Sequence, residues 1–270
     1  MTFDAIDLTP RIGSEIRADR DTLLSGARAQ EIRRLLEERG VVAFREINFS
    51  DAEQIAFTKT LGQIVDEGED NIYKVTMDTA ENAQAEYLKG AFFWHMDGAT
   101  SDVPIFASLL SGRRLSPTGG ETEFANTYAA YDDLPEAEKK AFENLNVVHM
   151  LEASQRYVNP EPSYRELRAW QSVPANTIPL VWKHRSGRKS LVLGCTASHV
   201  EGMDLREGWA LLTRLRDWAT QPQFVYRHEW KVGDLVVWDN TGTMHRALSY
   251  PLDSGRLMHR TKLQGEESFA

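Results

Sequence analysis

Hydrophobic positions recur with helical spacing in the first sixty residues and alternate with polar ones over most of the remainder. Ile32, Leu35 and Leu36 share one face of a helix predicted over 25–39, and Gly40 is placed to end it. VVAFRE follows as a buried strand. Ser50 and Glu53 then form a capping box for a second helix, which Gly62 terminates. Residues 66–91 are acidic and polar, with NIYKVTM as a short strand candidate, and are expected to form a mobile covering loop. Beyond them IFASLLSG, ETEFANT, VVHML, PLVWKH, KSLVLG, FVYRHEW, DLVVWDN, MHRALSY and RLMHRTKL are short, apolar or alternating, and punctuated by Gly/Pro turns. Many short strands of this kind predict a sandwich or barrel. Helices are predicted at 135–145, with Pro135 in the first turn, and at 205–219, with Trp209, Leu212, Leu215 and Trp218 near one face. Residues 154–177 lack a clear period and are expected to be an insertion. No repeat or linker divides the chain, so residues 1–270 are expected to form one domain.

Composition narrows the class. Of 270 residues, 41% are apolar and 26% charged, the balance of a soluble globular protein. No apolar run approaches the roughly 20 residues of a membrane helix. The N-terminus lacks the layout of a signal peptide and Cys195 has no partner, so a reducing, cytoplasmic setting is expected. A net charge of −9 repels phosphate backbones and argues against a nucleic-acid partner.

The chemistry begins at FFWHMDGAT. In an extended strand His95 and Asp97 point the same way, although such a triplet alone is as readily a surface pair. His245 opens the strand after VVWDNTGT. A hairpin centred between Tyr250 and Pro251 would set His245 opposite Arg256, and alternation would put Arg260 on the same face as Arg256. Either arginine alone could simply pair with a surface acid. Together, two histidines and one carboxylate with an open face form the ligand set of non-heme Fe(II) oxygenases, and an arginine close by can hold the distal carboxylate of an α-keto acid. One cysteine provides no thiolate set for structural zinc.

WHMDG, SPTGGETEFANTYAAYDDL, WDNTGTMHRA and GRLMHRTKLQG resemble the taurine dioxygenase and 2,4-dichlorophenoxyacetate dioxygenase (TauD/TfdA) family of Fe(II)- and 2-oxoglutarate-dependent enzymes, over about residues 41–265. The resemblance implies a mainly β protein with flanking helices, the double-stranded β-helix or distorted, cupin-like jelly roll. It implies that His95, Asp97 and His245 ligate iron, that Thr122 and Arg256 bind 2-oxoglutarate, and that Arg260 grips an anionic prime substrate. With O2 such an enzyme hydroxylates a small to medium carboxylate, sulfonate, sulfate ester or aryloxyalkanoate, releasing succinate and carbon dioxide, in some cases with C–heteroatom cleavage. Family members self-associate, so a dimer or tetramer is expected. Two alternatives stay open on the residues: a zinc metallohydrolase using the same triad, and a non-catalytic 2-oxoglutarate-binding jelly roll.

The chain departs from the taurine enzymes between Gly62 and Trp94, where it offers no histidine to the substrate, and this argues against taurine itself. The small Gly98 and Ala99 would leave room above the metal, and Tyr87, Leu88, Phe92 and Phe93 would line a bulkier, more apolar pocket. Asp97 stands where halogenases place a small residue, which argues against halogenation. Trp94, Trp238 and Asn240 also match family positions and are read as packing and turn residues.

Overall fold

The structure, a computed structural model, describes residues 3–67 and 71–269. Met1, Thr2, Ala270 and residues 68–70 of the expected covering loop lie outside the described residues. Strands β1 (Phe3–Asp7) and β2 (Ser14–Ala18) form a hairpin, followed by helices α1 (Arg20–Leu24) and α2 (Ala29–Arg39), β3 (Val41–Phe44) and α3 (Asp51–Leu61). β4 (Tyr73–Val75) precedes a 3-10 turn at Tyr87–Phe92, and then come β5 (Ala107–Arg114), β6 (Thr122–Asn126), α4 (Thr127–Asp132) and α5 (Glu136–Phe142). β7 (Asn146–His149) leads into α6 (Leu151–Val158), α7 (Tyr164–Gln171), β8 (Asn176–Pro179), β9 (Val181–Lys183), β10 (Lys189–Leu191) and β11 (Ala197–Val200). After α8 (Leu205–Ala219) the chain finishes with β12 (Val225–His228), β13 (Leu235–Asp239), β14 (Thr243–Ala247) and β15 (Leu257–Leu263).

Two sheets face one another. The larger has the order β1-β2-β3-β13-β5-β15-β4 and the smaller β12-β6-β14. An isolated antiparallel bridge joins His95 to His245, and the Cys195 N–H donates to the Trp94 carbonyl at 2.8 Å, so the smaller sheet continues through irregular backbone. Val41, Ala43, Leu110, Val236, Trp238 and Met258 from one sheet meet Phe124 and Tyr226 from the other. Ile32, Leu36, Phe57 and Leu61 of α2 and α3 pack on the outside of the larger sheet against Val42, Phe44, Leu109, Leu235 and Val237. Phe142, Leu212 and Leu215 of α5 and α8 cover Ala125 and Met244 on the outside of the smaller one. This is a jelly roll with flanking helices. Strand β13 explains the unbroken apolar run LVVW, because both of its faces are covered.

Several local expectations hold for the reasons given. Gly40 ends α2 with φ 72°, and Ser50 and Glu53 cap α3 reciprocally. Others are corrected. The hairpin expected around Tyr250 and Pro251 does not form: β14 pairs with β6 in the smaller sheet, whereas β15 pairs with β5 and β4 in the larger. The connection at 248–256 is long enough to cross from one sheet to the other, and Leu248 N–H is taken by the Glu121 carbonyl. His245 and Arg256 are therefore not ladder partners: the first lies on β14 of the smaller sheet, and the second immediately before β15 of the larger. The first sixty residues also contain the β1–β2 hairpin, whose exposed alternate positions leave little apolar signal. The region 154–177 holds the end of α6 and all of α7, whose capping box of Ser163 and Glu166 is present in the sequence. Pro135 is the N-cap of α5 rather than part of its first turn, and Trp209 of α8 is exposed.

The turn between β13 and β14 is clamped. Thr127 N–H donates to the Gly242 carbonyl at 2.9 Å, Tyr128 OH lies 2.8 Å from Thr241 Oγ1, and a Cβ on Gly242 would stand 1.6 Å from Tyr128 Cε2. This clamp sets where β14, and thus His245, begins. Gly242→Ala is expected to destabilise the protein by about 1–3 kcal/mol through overpacking. The urea midpoint measures it, and an unchanged midpoint would mean that the turn yields freely.

Candidate functional site

His95, Asp97 and His245 converge, with one ligand atom from each lying within 4.8 Å of the others. His95 Nε2 is 3.8 Å from Asp97 Oδ1, and His245 Nε2 is 3.9 Å from Asp97 Oδ2. The imidazoles are brought together by backbone: His95 N–H donates to the His245 carbonyl at 3.0 Å and His245 N–H to the His95 carbonyl at 2.8 Å. His95 and Asp97 are not on the continuous strand expected of them, since His95 forms only a bridge and Asp97 begins a turn, yet both side chains reach the same centre.

Neighbouring groups prepare these atoms for a metal. His95 Nδ1 is 2.8 Å from the Phe93 carbonyl, which fixes a proton there and leaves the Nε2 lone pair free. His245 is buried against Trp238 at 4.7 Å between ring centres. Burial, reinforced by the charges of His95 and Arg260, holds its pKa well below the ordinary histidine value, so it is neutral and able to ligate. Burial would raise the Asp97 carboxyl, but the positive charges of Arg260 and Lys262 hold it below the usual carboxylate range. A charged carboxylate beside two imidazoles, without thiolates, suits a hard to borderline divalent ion such as Fe(II).

A hydrogen-bond chain behind Asp97 escaped the sequence reading. Ser108 Oγ donates to Asp97 Oδ2 at 3.2 Å, Asn240 Nδ2 donates to Ser108 Oγ at 3.0 Å, and Trp238 Nε1 donates to Asn240 Oδ1 at 2.9 Å. Ser108, Asn240 and Trp238 are all buried. Trp238 and Asn240 thus orient a ligand as well as packing. The inward parity of Ser108 on β5, with Ala107 and Leu109 facing the helices, was the available signal.

Arg256 is 4% exposed, and among the described residues no carboxylate pairs with it. One nitrogen donates to the Gly120 carbonyl at 3.1 Å, the guanidinium lies 4.9 Å from the centre of the Tyr250 ring, and Nε has no partner. Burial draws its pKa below the ordinary arginine value. Gly120, at φ 84°, permits this approach, since a Cβ would meet Arg256 Nε at 3.0 Å. A buried, unpaired guanidinium is costly, and a bound carboxylate relieves it; the cradle therefore fits the distal acid of 2-oxoglutarate. Thr122 is buried on the same inner surface, and its Oγ1 accepts from Trp230 Nε1 at 2.9 Å, which leaves the hydroxyl hydrogen to donate elsewhere.

Arg260 stands beside the metal group, 3.8 Å from Asp97 Oδ2 and 4.7 Å from the centre of the Tyr73 ring. Phe92 packs on Tyr250 at 5.5 Å, on the Arg256 side. Tyr87 is half exposed and is not drawn into the cluster. Gly98 does not leave open space: its φ of 88° and the Pro104 and Ile105 backbone, 3.0 Å from any added Cβ, make it a turn residue. Ala99 is likewise packed with Met96, Trp182 and Val192. A separate cleft of about 1050 Å³, lined by Trp94, Glu123, Arg227 and Arg246, opens on the other face of β6 and β14 and does not include the three ligands.

Comparison with known proteins agrees with this geometry. Residues 4–262 match the family described as "Taurine catabolism dioxygenase TauD, TfdA family". The alpha-ketoglutarate-dependent 2,4-dichlorophenoxyacetate dioxygenase of Burkholderia sp. (strain RASC) is 36% identical over 90% of this chain and 87% of its own. The alkylsulfatase of Acinetobacter baylyi is 33% identical over 96% and 84%. The crystal structure of AAD-2 with Mn(II) and N-oxalylglycine superposes with a TM-score of 0.87 at 33% identity, covering 100% of both chains.

His95→Ala or Asp97→Ala is expected to abolish Fe(II)-dependent succinate release and binding of Co(II), followed by its absorption spectrum, with the circular dichroism of the fold retained. Asn240→Ala is expected to weaken Co(II) binding by about tenfold through loss of ligand orientation. Wild-type affinity in that variant would limit Asn240 to packing.

Proposed function

This chain belongs to the taurine catabolism dioxygenase TauD, TfdA family of Fe(II)- and 2-oxoglutarate-dependent enzymes, and from that premise we propose that it hydroxylates a small to medium organic acid held by Arg260 next to the His95, Asp97 and His245 centre. The observation that carries the proposal is the convergence of these three ligands in a fold that also buries a guanidinium, Arg256, with which no carboxylate among the described residues pairs. An Fe(II) ion held by these residues, with 2-oxoglutarate and O2, would supply the oxidative decarboxylation that drives hydroxylation, with succinate and carbon dioxide as co-products.

His95, Asp97 and His245 would hold the metal through three positions and leave the remainder for co-substrate and oxygen. Arg256, oriented by the Gly120 carbonyl and the Tyr250 ring, would clasp the far carboxylate, and the Thr122 hydroxyl would donate to it. Arg260 would orient the prime substrate, and orientation determines which carbon is attacked. A hydroxyl delivered to a carbon that also bears oxygen or sulfur yields a product that collapses to a carbonyl compound with cleavage of that bond. Relatives named for 2,4-dichlorophenoxyacetate, for alkyl sulfates and for sulfate esters support aryloxyalkanoates and sulfate esters as the first substrates to try. We place the enzyme in the cytoplasm as a self-associating protein without a nucleic-acid or membrane partner. The lone buried Cys195, its thiol pushed up to about 12 by burial, and the net charge of −9 support that setting. No helix among the described residues is long and apolar enough to cross a membrane.

Arg260→Ala is expected to raise KM for the prime substrate by about 10- to 100-fold, as expected for loss of a charge-assisted contact, with little change for 2-oxoglutarate; Arg256→Ala is expected to do the reverse. Steady-state kinetics with succinate release as the readout separates the two, and equal effects on both ligands would show the seats to be wrongly divided.

A further inference from the structure

The inner surface of β15 carries a third cation, and it is already paired. Lys262 Nζ lies 2.6 Å from Glu67 Oε1, while Arg260 is 3.8 Å from the same oxygen. Ile64 bridges Leu263 and Val65 N–H donates to the Lys262 carbonyl at 2.9 Å, so this segment lies antiparallel along β15 and carries Glu67 over Arg260. The Glu67 side chain is only 9% exposed, and its Oε2 has no hydrogen-bond partner among the described residues. A buried carboxylate is costly unless a cation meets it. Lys262 is that cation, and in return its own charge is spent on Glu67.

The charges of the site then balance in a particular way. A ferrous ion and Arg256 together offset Asp97 and the two carboxylates of 2-oxoglutarate, since ligating imidazoles are neutral. Glu67 offsets Lys262. Arg260, also 3.8 Å from Asp97, is the uncompensated cation among these groups. We infer that Glu67 sets the charge number of the prime substrate: by neutralising Lys262 it leaves a seat for a single negative charge. Carboxylates, sulfonates and sulfate monoesters meet that condition, whereas doubly ionised heads such as phosphate monoesters bring one charge too many. Arg260 provides the grip and Glu67 provides the discrimination by repulsion. This rests on Arg260 being the residue that holds the prime substrate.

Butyl sulfate and butyl phosphate form a suitable probe pair, because their heads share a tetrahedral shape but differ in charge at pH 8. Calorimetric titration of the anaerobic Fe(II)–2-oxoglutarate protein with each gives an affinity ratio. The wild type is expected to favour the sulfate, and Glu67→Gln to shift the ratio toward the phosphate by about tenfold or more. The double variant Glu67→Gln/Lys262→Met removes one charge of each sign and is expected to return the ratio to that of the wild type. Should Glu67→Gln not fold, Lys262→Met alone leaves the carboxylate uncompensated and is expected to weaken the phosphate more than the sulfate. An unchanged ratio in Glu67→Gln and in Lys262→Met, with butyl sulfate still lost on Arg260→Ala, overturns the role of Glu67 alone. Butyl sulfate affinity that is indifferent to Arg260→Ala overturns the assignment of Arg260, and the inference with it.

Discussion

Two backbone hydrogen bonds between His95 and His245, at 3.0 and 2.8 Å, hold the site together. They tie an irregular segment, where no strand otherwise forms, to the edge of β14, and so bring two imidazoles distant in sequence to 4.1 Å between ring centres. The remaining features follow from that bridge. Asp97, two residues beyond His95, is carried into the space between the sheets, where Ser108 of the opposite sheet donates to it. The metal group is therefore built from both layers of the sandwich, and Gly98 turns the chain away as soon as the carboxylate is in place.

What was legible in the sequence depended on the range of the interaction. Caps were legible because their groups lie three residues apart, as with Ser50 and Glu53. The ligands were legible because residue type and spacing coincide with a known pattern. The hairpin was misread because Pro251 and its neighbours look like a tight turn, whereas the connection passes between sheets. Arg260 lies within β15, whereas Arg256 precedes it, next to a register shift between Leu257 and Met258, so strict alternation reaches only the first of the two. Lys262 obeys the same alternation and could have been found. Glu67 could not, because a loop lying along a strand leaves no periodic trace. Likewise, Trp238, Asn240, Ser108 and Asp97 form a chain across three elements that no local pattern announces.

The relation to proteins named for aryloxyalkanoate and sulfate-ester oxidation is consistent with the division of labour within the site. Groups around the metal and Arg256 are buried and tied to both sheets. Groups near Arg260 come partly from the segment before β4, where the chain departs from the taurine enzymes. The converging triad is thus tied to the strands, whereas the groups beside Arg260 come in part from a segment laid over them.

The cations at the start of β15 and within it also act as a ruler. Arg256, just before the strand, and Arg260, inside it, are four residues apart, a backbone separation of at most about 13 Å at 3.3 Å per residue. Salt screens buried charges little, so acids docked at the two marks are kept apart by the length of chain between them and not by solvent ions. Each mark has its own neighbours, Gly120 and Tyr250 at Arg256 and Glu67, Asp97 and Tyr73 at Arg260, so a change beside one leaves the contacts of the other in place.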